Sequence, residues 1–293
     1  MRILTLAFLS LAAFALGCAP AAPREATPAL WRITDADSEI WLFGTVHLLS
    51  PDLRWRTPAI DAAFNAADEF VTETDTGPAA QAALPQLAQR YGALAAGETL
   101  SALLGEDAPK LAQAARRLNL DPAALERMRP WFAALNLSYA YVVQQGQTAE
   151  AGVETVLSAE ARAQGKREGF LETPEQQVRF LADLPREDEL RFLRITLDQV
   201  QGDSDEGFRA LDAAWAMGDV RLLGALLDAQ WRNAGPAVHE ALILNRNRLW
   251  ADEIAQRLDG SGRTFIAVGA AHLAGEGNVV ALLRERGVRV EGP

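Results

Sequence analysis

The chain has 293 residues and a net charge of −11, and so acidic a surface excludes nucleic acid as a partner. A single cysteine, Cys18, excludes internal disulfides, so the fold must rest on its hydrophobic core.

Arg2 precedes an uncharged, apolar and small-residue run that ends at Gly17, the order of a secretory signal over residues 1–17. Phe14-Ala15-Leu16-Gly17-Cys18 places small residues before the cysteine, as in a bacterial lipobox, so Cys18 is the expected point of lipid attachment. A plain signal peptide cut within residues 19–22 is the alternative. The expected location is the periplasmic face of the envelope, anchored in the outer rather than the inner membrane. Residues 18–29 have no periodicity and read as the lipidated cysteine and a tether. A single domain is expected over 30–293.

Trp31 to Thr34 alternates, Asp35 to Ser38 supplies a turn, and Ile40 to Phe43 is apolar, which predicts a hairpin. Its second strand runs into Gly44-Thr45-Val46-His47. A helix is expected from Pro58 to Ala67 and a strand from Glu69 to Glu73. From about 77 to 258 helical spacing dominates, interrupted by a short strand near 167–171. Leu111, Ala115 and Leu118 form one stripe. Trp131, Leu135 and Val142 lie on a helix that is apolar nearly all round, hence expected to be buried. Breaks are expected near Gly202, Gly218 and Gly235. Arg263 to Val268 predicts a buried strand leading into Gly269-Ala270-Ala271-His272, followed by a helix over 278–286 and a strand over 288–290. The pattern predicts an α/β (α+β) fold. It is a mixed β-sheet flanked by helices, with a largely helical subdomain at about 77–258.

Two of the three histidines, His47 and His272, follow an apolar strand in the same Gly-x-x-His-Leu context. Each emerges where a strand of an α/β sheet opens its crevice. Two neutral imidazoles there would suit a divalent transition metal such as zinc, manganese or cobalt. Alternatively, they only satisfy strand ends. Glu73 ends its own strand and could complete a metal site or act as a base on bound water; the alternative is a surface carboxylate. Asn247 shares a helix face with Ile243, Trp250 and Ile254, and Arg246 lies between Leu242 and Leu249. They could hold a substrate carbonyl or carboxylate, or Arg246 could bridge internally to Glu154 or Glu172. His239 reads as a surface residue. Gly-x-Ser-x-Gly, Walker and dinucleotide-binding motifs are absent from the sequence.

Ile40-Trp41-Leu42-Phe43-Gly44-Thr45-Val46-His47 and Phe70-Val71-Thr72-Glu73-Thr74-Asp75 resemble motifs of the TraB/GumN family. Gly152-Val153-Glu154, Gly165-Lys166, Leu171 to Gln177, Asn245-Arg246-Asn247 and Val268 to Gly277 follow in the same order. Asn245 stands where a Glu before Arg-Asn is more usual. The resemblance covers about 30–293. It implies a scaffold shared with the Tiki proteins, described as metal-dependent proteases using the two Gly-x-x-His histidines and acidic residues. Erythromycin-esterase-like and haem-binding ChaN-like proteins are grouped with it. The expected function is a metal-dependent hydrolase of the peptidase type. His47, His272 and Glu73 would hold the metal, and Glu73, Arg246 and Asn247 would serve catalysis on a peptide or other extended substrate. The alternative is a non-catalytic envelope lipoprotein binding haem, a polysaccharide or an accessory factor.

Overall fold

The computed structural model describes residues 23–202 and 205–293. The signal segment 1–17 and Cys18 lie outside the described residues. Among the described residues there are eight strands, in chain order: β1 (Arg24–Glu25), β2 (Leu30–Thr34), β3 (Ser38–Thr45), β4 (Leu53–Arg54), β5 (Glu69–Thr74), β6 (Arg167–Glu172), β7 (Gly262–Gly269) and β8 (Val290–Glu291). Between β4 and β6 run α1 (Pro58–Ala66), α2 (Pro78–Gly92), α3 (Leu100–Leu104), α4 (Ala108–Arg117), α5 (Pro122–Leu125), α6 (Pro130–Gln144) and α7 (Val153–Ala163). After β6 come α8 (Pro174–Ala182), α9 (Arg186–Gln201), α10 (Glu206–Ala216), α11 (Val220–Ala234), α12 (Pro236–His239), α13 (Asn245–Arg257) and α14 (Val279–Glu285).

Six strands form one mixed sheet in the order β6-β5-β7-β3-β2-β8. The first four are mutually parallel, whereas β2 is antiparallel to both β3 and β8. Alternation along the central strands supplies two cores. Trp41, Phe43, Phe70, Phe265 and Ala267 face α1, α7, α10 and α11. Ile40, Leu42, Val71, Ile266 and Val268 face α13 and α14. Strands covered on both faces read as the continuous apolar runs seen in the sequence. Phe64, Phe70 and Phe265 pack edge-on or tilted at 5.5–6.3 Å. Emptying the Phe265 position would cost about 3–5 kcal/mol.

A separate core joins α3, α4, α5, α6 and α9 through Leu100, Leu111, Ala115, Leu137, Leu193 and Leu197. Arg129, just before α6, places its Nη2 2.5 Å from Glu189 Oε1 and 2.7 Å from the Ala182 carbonyl. Its Nη1 donates to the Tyr91 carbonyl, so one guanidinium ties α2, α8 and α9 to α6.

Three expectations need correction. On α6, Trp131, Ala134 and Leu137 are buried, but Leu135, Tyr139 and Val143 form an exposed stripe, because α9 covers only one side of this helix. His239 is half-buried and stacks on Trp231 with the rings 5.6 Å apart. Within the expected tether, residues 24–27 lie on the domain: β1 pairs with β4, Ala26 is buried, and the Thr27 N–H donates to the Ala216 carbonyl.

Candidate metal centre

Parallel pairing sends the carboxyl ends of β3, β5, β6 and β7 to one rim of the sheet. Register fixes their levels. Thr45 lies beside Gly269, Thr72 beside Ala267, and Thr74 beside Glu172. Hence His47, Glu73, Glu172 and His272 converge from four neighbouring strands. Gly269 is the closest point: its N–H donates to Glu73 Oε1 at 2.7 Å, and a Cβ there would sit 3.0 Å from that oxygen. Glycine at the head of the second Gly-x-x-His is therefore a matter of space for the carboxylate.

A fifth segment joins the rim from above. The loop after β3 pairs with the loop before α7 through reciprocal bonds between Leu49 and Thr148, and the Val153 N–H donates to the Val46 carbonyl at 3.1 Å. A Cβ on Gly152 would lie 2.1 Å from the His47 carbonyl oxygen, so only glycine lets α7 start here. Glu154, in the first turn of α7, thus meets His47: Nδ1 is 2.5 Å from Glu154 Oε2. Thr45 Oγ1 donates to the other oxygen at 2.6 Å and fixes the carboxylate plane.

Behind this layer sit the polar residues of α13. The turn before α13 is one residue wide of α-helical, with the Asn245 N–H donating to the Glu240 carbonyl five residues back. Such an insertion advances the following residues by about 100°. Arg246 and Asn247 both become buried, at 6% and 0% exposure. Arg246 donates from Nε and Nη2 to both oxygens of Glu172, at 2.7 and 2.9 Å, and from Nη2 to Glu73 Oε2 at 2.6 Å. Its Nη1 reaches the Leu242 carbonyl and His272 Nε2, the latter at 3.1 Å. The guanidinium also lies over the Trp250 ring, 4.7 Å from its centroid. Asn247 Nδ2 donates to the Gly277 carbonyl, and its Oδ1 is 2.7 Å from His272 Nδ1.

These contacts assign the His272 tautomer. Arg246 can only donate, so His272 Nε2 accepts and Nδ1–H donates to Asn247 Oδ1. Burial, reinforced by the Arg246 charge, pushes the His272 pKa down to about 3, and the ring is neutral. His47 is the opposite case. Its side chain is 65% exposed at the mouth of the site, and the Glu154 carboxylate raises its pKa to about 9. For Glu73, burial opposes ionisation, but Arg246 outweighs it and holds the carboxyl below its usual range. Burial raises the Glu172 pKa against its bonds to Arg246.

His47, Glu73 and Glu154 each offer one ligand atom, all within 4.8 Å of one another, a group that could hold a metal ion. One imidazole and two carboxylates form a nitrogen–oxygen donor set suited to zinc or manganese. Glu154, not singled out as a ligand from the sequence, belongs to this group. The His272 Nε2 lone pair is already spent on Arg246, and it lies 3.8 Å from Glu73 Oε1. Arg246 and Asn247 reach the site, but all five Arg246 donors are spent on Glu172, Glu73, Leu242 and His272, and Asn247 donates to Gly277. Of the two roles open from the sequence, the internal bridge is present, to Glu172 rather than Glu154.

The sequence model of the TraB/PrgY/gumN family matches residues 29–292. The chain belongs to the TraB/PrgY/gumN family. It is similar to a protein named YbaP, described as uncharacterized, from Escherichia coli (strain K12), at 25% identity over 260 residues, 83% of this chain and 87% of the relative. A protein of the same name from Shigella flexneri matches to the same extent. No solved structure matches. The histidine, Glu73, Glu154, Glu172 and Arg246-Asn247 motifs that carried the resemblance lie at the rim or directly behind it, whereas Gly165-Lys166 lies at the opposite, amino end of β6, where Lys166 donates to the Ala67 carbonyl. Gln177, in the first two turns of α8, adds a contact that sequence reasoning missed, donating from Nε2 to Glu73 Oε2 at 3.2 Å.

Proposed function

We propose that this TraB/PrgY/gumN protein is a metal-dependent hydrolase of the peptidase type, acting at the periplasmic face of the envelope from a lipid anchor on Cys18. The observation that carries this reading is the convergence of His47, Glu73 and Glu154 within 4.8 Å at the open rim of the sheet. A divalent ion held by these three would supply Lewis acidity and activate water near neutral pH.

The remaining residues prepare that chemistry. Thr45 orients Glu154 by its hydroxyl. Arg246 keeps Glu73 ionised and, with Gln177 and the Gly269 N–H, fixes both of its oxygens. His272 is neutral and locked in one tautomer by Asn247, which holds the Arg246 head group in register. Only His47 stands exposed, so the substrate approaches from its side. Its Nδ1 and Glu154 share a proton in the metal-free site, which ligation of an ion would displace. No donor of Arg246 is free for a substrate oxyanion, so its part is to hold Glu73 and Glu172 in place.

The test is turnover. The purified chain, supplied with zinc or manganese, should cleave members of a peptide panel, and His47→Ala should lower kcat by at least about a hundredfold. Binding of haem or an envelope polysaccharide, with no cleavage of any peptide or ester, would move the reading to a non-catalytic lipoprotein.

A further inference from the structure

The sheet ends at β6, whose only partner among the described residues is β5. Edge strands of this kind are commonly covered or kept very short. Here Arg167, Glu168 and Phe170 are exposed, and only Glu172 is buried. One row of β6 backbone N–H and C=O groups therefore faces outward over six residues, the length of an ordinary strand. At its carboxyl end lies an open groove of about 390 Å³ lined by Asp75, Phe170, Glu172, Thr173, Pro174 and Gln176, among others. That volume is within the ~300–1,000 Å³ of small-ligand sites.

The groove is preformed, and it shares Glu172 with the ion-pair network behind the metal centre. Its floor is the start of α8, locked by reciprocal bonds: Thr173 N–H to Gln176 Oε1 at 2.8 Å and Gln176 N–H to Thr173 Oγ1 at 3.2 Å. Glu172 lines the groove and also accepts from Arg246, which bonds to Glu73. Asp75 follows Glu73 by two residues; it accepts from the Gly77 N–H and has no cationic partner among the described residues. The groove wall thus carries one unneutralised charge.

We infer that β6 and this groove bind an extended peptide segment, which adds to the sheet as a seventh strand and places a basic side chain against Asp75. A strand edge selects for peptide backbone, because only a chain repeating N–H and C=O at strand spacing matches it. Strands lie about 4.8 Å apart, so an added strand would run about 10 Å from β5, and a chain rising ~3.3 Å per residue covers that in about three residues. The segment on β6 is thus about three residues from a bond presented at Glu73 and His47. This inference rests on the peptidase reading and gives it a substrate mode and a side-chain preference.

The test uses the full chain carrying His47→Ala, so that nothing is turned over, and a fluorescein-labelled heptapeptide with one central lysine. Two isomers are N-methylated at alternate amides in opposite phases. Strand addition predicts that one phase loses affinity by about tenfold or more while the other binds like the parent, since only one set of amides faces β6. Asp75→Asn should weaken the lysine peptide several-fold and leave a norleucine counterpart unchanged. Equal behaviour of the two phases would overturn strand addition, and equal effects of Asp75→Asn on both peptides would overturn the basic preference. Cleavage by the unmodified chain with no phase dependence would sink this inference and leave the peptidase reading standing. Neither binding nor cleavage of any peptide would remove both.

Discussion

Arg246 Nη2 lies 2.6 Å from Glu73 Oε2, with both side chains more than nine-tenths buried. Because the same guanidinium also spans Glu172, one positive charge compensates two buried carboxylates. The arrangement holds the rim together, and it makes Arg246 the residue whose loss leaves most charge unpaired.

Arg246→Met should therefore destabilise the chain by about 3–5 kcal/mol, because it strands two carboxylates in a low-dielectric interior. Chemical denaturation measures this directly. Adding Glu73→Gln and Glu172→Gln to Arg246→Met should restore much of the loss, since the uncompensated charges disappear. A single variant as stable as the parent would contradict the role given to this ion pair.

Gly152→Ala puts a methyl group into the His47 carbonyl, a backbone atom that cannot step aside. The start of α7 must move, and Glu154 moves with it. We expect a stability loss of about 1–3 kcal/mol and a clear fall in metal retention. Gly165→Ala is a useful control, being a left-handed glycine with nothing within 4 Å of its added carbon. It should cost stability through backbone strain but leave metal retention intact. Equal metal loss in both variants would show that Gly152 has no special place.

Metal affinity should rise with pH. The Glu154 carboxylate raises the His47 pKa to about 9, so in the metal-free site the imidazole holds a proton at neutral pH, and an ion must displace it. The sign follows: each pH unit gained below about 9 removes a competing proton, for about tenfold in apparent affinity. A competition titration against a chromophoric chelator between about pH 6 and about pH 9 reads this slope. A flat profile would mean that His47 is not protonated, or not a ligand.

His272 should behave as a fixed neutral ring. Nitrogen NMR of the imidazoles should find its proton on Nδ1, with no titration until near its depressed pKa of about 3. Its folded pKa lies below the unfolded one, so its contribution to stability is complete above about pH 6.5 and is lost as the pH falls toward that lower value. Asn247→Ala should release the tautomer and, with the Gly277 carbonyl left unpaired, cost about 1–3 kcal/mol. An Nε2–H ring in the parent chain would contradict the assigned network.

Much of this site could be read without coordinates, for a local reason. His47 and His272 each end an apolar run whose glycine marks the strand's exit, and Glu73 ends another run, so rim placement follows from neighbouring residues alone. The inward place of Asn247, on the face of Ile243, Trp250 and Ile254, followed from helical periodicity; that of Arg246 did not, because Leu249, on the stripe assigned to it, is exposed. What stayed hidden depends on distant contacts. Glu154 reaches His47 across 107 residues only because Gly152 docks α7 on the β3 turn. The engagement of the His272 lone pair depends on the widened turn before α13, which periodicity does not announce. On α6, apolar composition concealed an exposed face, since composition says how much could be buried but not what is there to cover it.

The most direct test of the account is elemental analysis of the purified chain after zinc or manganese loading, alongside His47→Ala, Glu73→Gln, Glu154→Gln and His272→Ala. The account predicts about one ion per chain in the parent, lost in the first three variants and retained in folded His272→Ala. Retention in Glu154→Gln, with loss in a folded His272→Ala, would show that the metal is held by the two Gly-x-x-His histidines instead, and would contradict the ligand set proposed for this rim.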